Sequence, residues 1–136
     1  MEYMLLPKLL GLAERAWAAD PEWVTVTDSV KAVQLYNESW SRFVNVLGKH
    51  ELPRLDHYAG GFKYRIPEPG AIVQNGHVWC NTRFPGFTVH YTTNGTAPNI
   101  HSKIYTGAFN PGQGKIKLAL FNQDGRTGRT LTVSNN

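Results

Sequence analysis

The stretch AIVQNGHVWCNT, residues 71–82, sets the character of half the chain. Two short runs read here as strands of period two, AIVQ (71–74) and HVWCNT (77–82), flank the dipeptide Asn75-Gly76. Asn-Gly supplies the two positive-φ positions that a tight hairpin turn needs, so the stretch reads as strand, turn, strand. Working outward, the same period of two recurs in TVHYTT (88–93), in a short piece within SKIYTG (102–107), in KIKLALFN (115–122) and in RTLTVS (129–134). Upstream it is seen in FKYRI (62–66). Asn94-Gly95 and Asp124-Gly125 add turn signals. Six or seven short strands over about 75 residues predict an immunoglobulin-like antiparallel β-sandwich.

Before that half the punctuation differs. Residues 1–59 hold two of the 13 glycines and read as helix. In LLPKLLGLAERAWAADPEW (5–23), Leu5, Leu6, Leu9, Leu10, Leu12, Ala13, Ala16 and Trp17 fall on one side of a helix, and Lys8, Gly11, Glu14, Arg15 and Ala18 on the other. Pro7 is expected in its first turn, where a missing N–H costs little. After the Asp20-Pro21 break, Thr27, Asp28 and Ser29 offer N-cap side chains for a second helix. Its stripe is Val33, Tyr36, Trp40, Phe43, Val44 and Leu47, and Gly48 is the expected left-handed stop. Leu35 and Val46 lie beside the stripe, so this helix is expected to be wedged between two neighbours. Two helices cannot bury this much apolar surface alone, which makes the chain read as the tail of something larger. The expected division is residues 1–57, helical, and 58–136, the β domain.

The 136 residues are 41% hydrophobic and 18% charged, a globular composition. The formal charge of +4 comes from scattered Lys and Arg with no basic run, which argues against a nucleic-acid partner. A single cysteine, Cys80, excludes an intrachain disulfide and a Cys-based zinc site, and is expected as a small core residue. Glu2, Pro7 and Lys8 interrupt what would otherwise pass for a secretory leader, and the apolar run is too short to cross a bilayer.

No reaction centre stands out. The carboxylates Glu14, Glu22, Glu38, Glu51, Asp56 and Glu68 fit surface, capping or salt-bridge roles. His50, His57, His77, His90 and His101 share no metal-ligand spacing. There is no phosphate-binding glycine loop and no G-x-S-x-G. Accordingly no catalytic, cofactor-binding or metal residue is assigned. The aromatics Trp79, Phe84, Phe87, Tyr91, Tyr105, Phe109 and Phe121 have two readings, strand core or a flat platform for a sugar ring. Two or more of them exposed in a row on one sheet would favour the platform. Asn94-Gly95-Thr96 matches a glycosylation acceptor but reads first as a turn.

Taken together, four motifs resemble one family. EYMLLPKLLGLAERAWA (2–18) is similar to the end of the catalytic barrel in glycoside hydrolase family 20, the β-N-acetylhexosaminidases and bacterial chitobiases. Tyr3, Met4, Pro7, Lys8, Ala13, Glu14, Arg15, Ala16 and Trp17 fill that family's pattern, with Lys8 where Arg is frequent. SWSRFVNVLGKHELPRLD (39–56) resembles its next helix and connector. FKYRIPEPGAIVQNG (62–76) and FPGFTVHYTTNGTAPNIHSKIYTG (84–107) look like the small β domain that closes chitobiase-type enzymes.

The resemblance implies an α+β chain by segments, namely two helices from the end of a TIM barrel followed by the β domain. It implies a parent that removes terminal N-acetylhexosamine by substrate-assisted hydrolysis, without a cofactor. The family's catalytic Asp-Glu pair is expected upstream of this chain, and its W-x-E element just before Met1. Glu14 and Arg15 are then structural, and the chain by itself is expected to be inactive. Its partners would be its own upstream barrel and, for the parent, an amino-sugar glycan. The uncovered helix face is expected to make the chain self-associate. Family members of this type act in the periplasm, on the outer membrane or after secretion. The competing readings are an accessory chitin-binding module and, more remotely, a freestanding interaction protein.

Overall fold

A computed structural model describes residues 2–135. The chain divides into two compact units, one running to Arg65 and the other starting at Ile66.

The first unit is helical: α1 (Glu2–Leu5), α2 (Lys8–Trp17), a 3₁₀ turn (Glu22–Val24), α3 (Ser29–Val46), a π-helical turn (Leu47–Glu51) and α4 (Leu52–His57). The sequence predicted one helix from Leu5, but the chain breaks at Pro7, which stands just before α2. The residue preceding a proline avoids helical geometry, and this separates α1 from α2. α2 ends at Trp17, before the Asp20-Pro21 break. Asp28 is the cap of α3, its carboxylate accepting from the backbone N–H of Val30 at 2.9 Å and of Lys31 at 3.3 Å.

Gly48 does not stop the helix. It is buried inside the π turn, where Leu52 N–H bonds back to Leu47 O. Pro53 explains the widening, because it lacks an N–H and its ring crowds the carbonyl four residues earlier. The left-handed exit comes at Ala59, Gly60 and Gly61, with φ of 49°, 88° and 91°. Here Phe62 N–H bonds to Leu55 O at 2.8 Å, and the Tyr64 hydroxyl donates to the Asp56 carboxylate at 2.9 Å. Burial in this unit centres on Val44, Leu47, Leu52 and Tyr64.

The expected strand at 62–66 is not formed. Its alternation is real, with Tyr64 and Ile66 buried and Lys63 and Arg65 exposed. Its backbone bonds go elsewhere, however, Arg65 N–H reaching Leu6 O at 3.2 Å.

The second unit holds six strands, β1 (Gly70–Gln74), β2 (His77–Asn81), β3 (Thr88–Thr92), β4 (Lys103–Ile104), β5 (Gly114–Phe121) and β6 (Leu131–Asn135). They form two small antiparallel sheets, β1-β2 and β4-β3-β5-β6, so the chain is α+β. Closure into a sandwich is not seen among the described residues. Asn75 and Gly76, at φ 52° and 71°, make the tight turn between β1 and β2. Asn94-Gly95 instead forms a side-chain-capped turn, Asn94 Oδ1 accepting from Thr96 N–H at 3.1 Å and from Thr96 Oγ1 at 2.7 Å. Strand β5 lies between β3 and β6, and its residues Leu118, Ala119, Leu120 and Phe121 are all buried. Unbroken burial of consecutive residues means both faces of that strand end are covered. Val89 on β3 and Val78 on β2 add to this core.

Candidate functional site

The residues weighed as acids, bases or ligands lie apart and are used locally. Glu51 makes an ion pair with Arg54 at 3.9 Å, one turn away. Glu38 accepts from Gln34 Nε2 at 2.9 Å along α3. Asp56 ties the end of α4 to Tyr64. The Arg15 guanidinium caps its own helix through Ala19 O at 3.3 Å. Four of the five histidines are exposed, and His90 is buried against the Phe121 ring with centroids 4.7 Å apart. Its Nδ1 donates to Ser102 O at 3.1 Å and its Nε2 pairs with the Thr88 hydroxyl at 3.1 Å, a strand-to-loop clamp.

Among the described residues no three His, Cys, Asp or Glu side chains gather, and every buried polar side-chain atom has a hydrogen-bond partner. Burial pushes the Cys80 thiol up to about 11 from 9.0, which keeps it protonated and unreactive near neutral pH.

Two surfaces remain. The first is helical. No residue of α2 is buried, and Leu9, Leu12 and Trp17 are 50%, 65% and 86% exposed. Along α3 the stripe is half realised. Val44 and Leu47 are withdrawn, while Val33, Tyr36 and Trp40 stay exposed, Tyr36 edge-on to Trp23 at 5.4 Å and Trp40 tilted on Phe43 at 5.9 Å. A shallow, solvent-open groove of about 450 Å³ follows α3 past Val30, Val33, Gln34, Asn37, Glu38 and Ser41. All its walls come from one helix, so it has no opposed groups with which to hold a small molecule.

The second surface is the outer face of the β1-β2 hairpin. Its register pairs Ile72 with Trp79, Gln74 with His77 and Gly70 with Asn81, and all six are exposed. The inward positions are Val73, Val78 and their neighbours Ala71 and Cys80. Of the seven aromatics weighed as a platform only Trp79 is exposed, so the expected row of two or more on one sheet is not met. Phe84 and Phe121 are buried, and Tyr91 and Tyr105 both pack on Phe109, at centroid distances of 4.0 Å and 6.2 Å. Sequence patterning left this outcome open, because strand HVWCN carries apolar residues on both faces and either phase would bury some.

Residues 51–130, more than half of the chain, match the family described as Chitobiase/beta-hexosaminidase C-terminal domain. Over 122 residues, 76% of the chain, it is 39% identical to N,N'-diacetylchitobiase of Vibrio harveyi, of which this covers 14%. It is 28% identical over 149 aligned residues to Beta-hexosaminidase of Vibrio vulnificus, covering 98% of this chain and 17% of that protein. The chain thus spans less than a fifth of the length of either curated relative.

Proposed function

This chain belongs to the family of chitobiase/beta-hexosaminidase C-terminal domains, and on that premise we propose that it is the C-terminal part of a β-N-acetylhexosaminidase and serves there as a structural domain. The parent would release terminal N-acetylhexosamine from chitobiose or related glycans, acting outside the cytoplasm. Residues 1–57 would complete the catalytic barrel as its last outer helix, a linking helix and a connector. Residues 58–136 would be an immunoglobulin-like domain held beside it.

The observation that carries this reading is the unburied α2. An amphipathic helix of a packed protein normally turns its apolar stripe inward, and here Leu9, Leu12 and Trp17 meet water. Outer helices of a (β/α)₈ barrel need such a stripe against the strands they cover.

A graft tests the reading. This chain would replace the matching segment of the Vibrio harveyi relative. The graft is expected to fold and to retain turnover, and Leu9→Glu with Trp17→Glu to lower its melting temperature and its activity together. The same pair should leave the melting of the isolated chain unchanged. Unaltered melting and activity in the charged graft would overturn the packing role, and turnover of a chromogenic N-acetylglucosaminide by the pure isolated chain would overturn the assignment of chemistry to the missing part.

A further inference from the structure

We propose that the outer face of the β1-β2 hairpin stacks one pyranose ring of a neutral N-acetylhexosamine oligosaccharide, with the Trp79 indole as the platform. The choice of sugar rests on the β-N-acetylhexosaminidase reading above, and the face itself is argued independently of it.

The face has the chemistry of such a ligand. Of its six residues, Gly70, Ile72, Gln74, His77, Trp79 and Asn81, none is Asp, Glu, Lys or Arg. A nucleic acid or acidic polymer would need cations here. An uncharged sugar has an apolar face of C–H groups and a polar edge. Trp79, 51% exposed, and Ile72 across from it, 59% exposed, meet the first requirement. The amides of Gln74 and Asn81 and the imidazole of His77 meet the second. The His77 Nδ1–H donates to Asn75 O at 3.0 Å, leaving Nε2 as the ring's other polar atom. The bare backbone of Gly70 lets Asn81 lie down on the sheet, since a Cβ there would strike Asn81 Oδ1.

Size also decides. A stable protein interface uses roughly 20–30 residues a side, and this isolated apolar pair surrounded by amides is the footprint of a single ring. Rigidity favours binding as well. Trp79 sits between two anchored residues: Val78 exchanges backbone bonds with Phe109 at 2.8 and 3.4 Å, and Cys80 N–H donates to the Tyr105 hydroxyl at 3.1 Å. A platform fixed in this way loses little entropy when the ligand arrives.

The test titrates the 136-residue chain with a β-1,4-linked N-acetylglucosamine tetramer and follows amide and indole NMR shifts. Saturable shifts are expected at the Trp79 indole N–H and at residues 72, 74, 77 and 81, with at least about a tenfold loss of affinity in Trp79→Ala. Trp79→Phe should keep part of the binding and guards against a folding artefact, as do unchanged shifts at Val78 and Phe109. Absence of shifts at roughly 10 mM sugar, shifts confined to other surfaces, or binding unaffected by Trp79→Ala would overturn the proposal. Equal binding of a β-1,4-linked glucose tetramer would overturn the N-acetylhexosamine assignment. A chain that fails here while its graft folds and works fails as a sugar platform alone, and the structural-domain reading stands.

Discussion

In β5 the side chains of Leu118, Ala119 and Leu120 are fully withdrawn from water, whereas ten-residue α2 buries none of its own. Both segments are comparably apolar in sequence, so composition does not account for the contrast. β5 has a strand on either side within its own sheet, and the unbroken burial of Leu118 to Phe121 means that both its faces are covered. The apolar stripe of α2 is only partly covered, Leu10 and Ala13 being half-buried while Leu9 and Trp17 stay exposed. Burying a leucine contributes about 1.5–3 kcal/mol, so the two segments differ in what they lend to the stability of this chain. The β unit carries its own core, whereas α2 adds no buried side chain to the smaller core around Leu47, Leu52 and Tyr64.

The largest effect expected from this contrast is at β5. Leu118→Ala should cost about 2–5 kcal/mol in urea unfolding, because the strand cannot collapse around the cavity from either face. A loss under about 1 kcal/mol would mean the β core is loose and the comparison false. Next comes the joint that ends the helical run. Gly61 has φ of 91°, and a Cβ there would sit 2.6 Å from Asp56 O, so Gly61→Ala should cost about 1–3 kcal/mol. The same substitution at Gly60, whose Cβ meets nothing within 4 Å, should be milder and separates strain from crowding. Asp28→Ala removes the α3 cap and should cost about 1 kcal/mol, read by the same unfolding curve.

An effect visible only with pH is expected at Cys80. Its folded pKa of about 11 lies above the ordinary 9.0, so the unfolded chain releases this proton first. The stabilisation is intact below pH 9 and is lost as pH rises to about 11. Stability measured from pH 8 to 11 should therefore fall more steeply in the native chain than in Cys80→Ser. Parallel curves would place the thiol in water. The smallest change in stability belongs to Leu9→Ser on α2, expected within about 0.5 kcal/mol. Its effect should be on association instead. Sedimentation should find the native chain self-associating at high concentration and the variant less so, and a native monomer would remove the case for an adhesive α2 face.

The sequence determined much of this by local rules. Period-two runs around Asn75-Gly76 placed β1 and β2 because an Asn-Gly pair takes positive φ at little cost, and Asp28 capped α3 because a short carboxylate reaches the free N–H groups of a first turn. The family motifs were legible for the same reason, being contiguous in the chain. Other outcomes depended on residues outside the local pattern. Gly48 has the identity of a helix stop, yet Pro53 widens the backbone into a π turn and the helix runs on to His57. Phe62 to Ile66 has the alternation of a strand, yet its backbone finds partners at Leu6 and Leu55 and enters no ladder. The phase of β2, which puts Val78 in the core and Trp79 in water, was not readable either, since both faces of that strand carry apolar groups. Periodicity fixes which side chains share a face. Only the tertiary structure decides which face meets protein, because burial is a property of the neighbours and not of the strand.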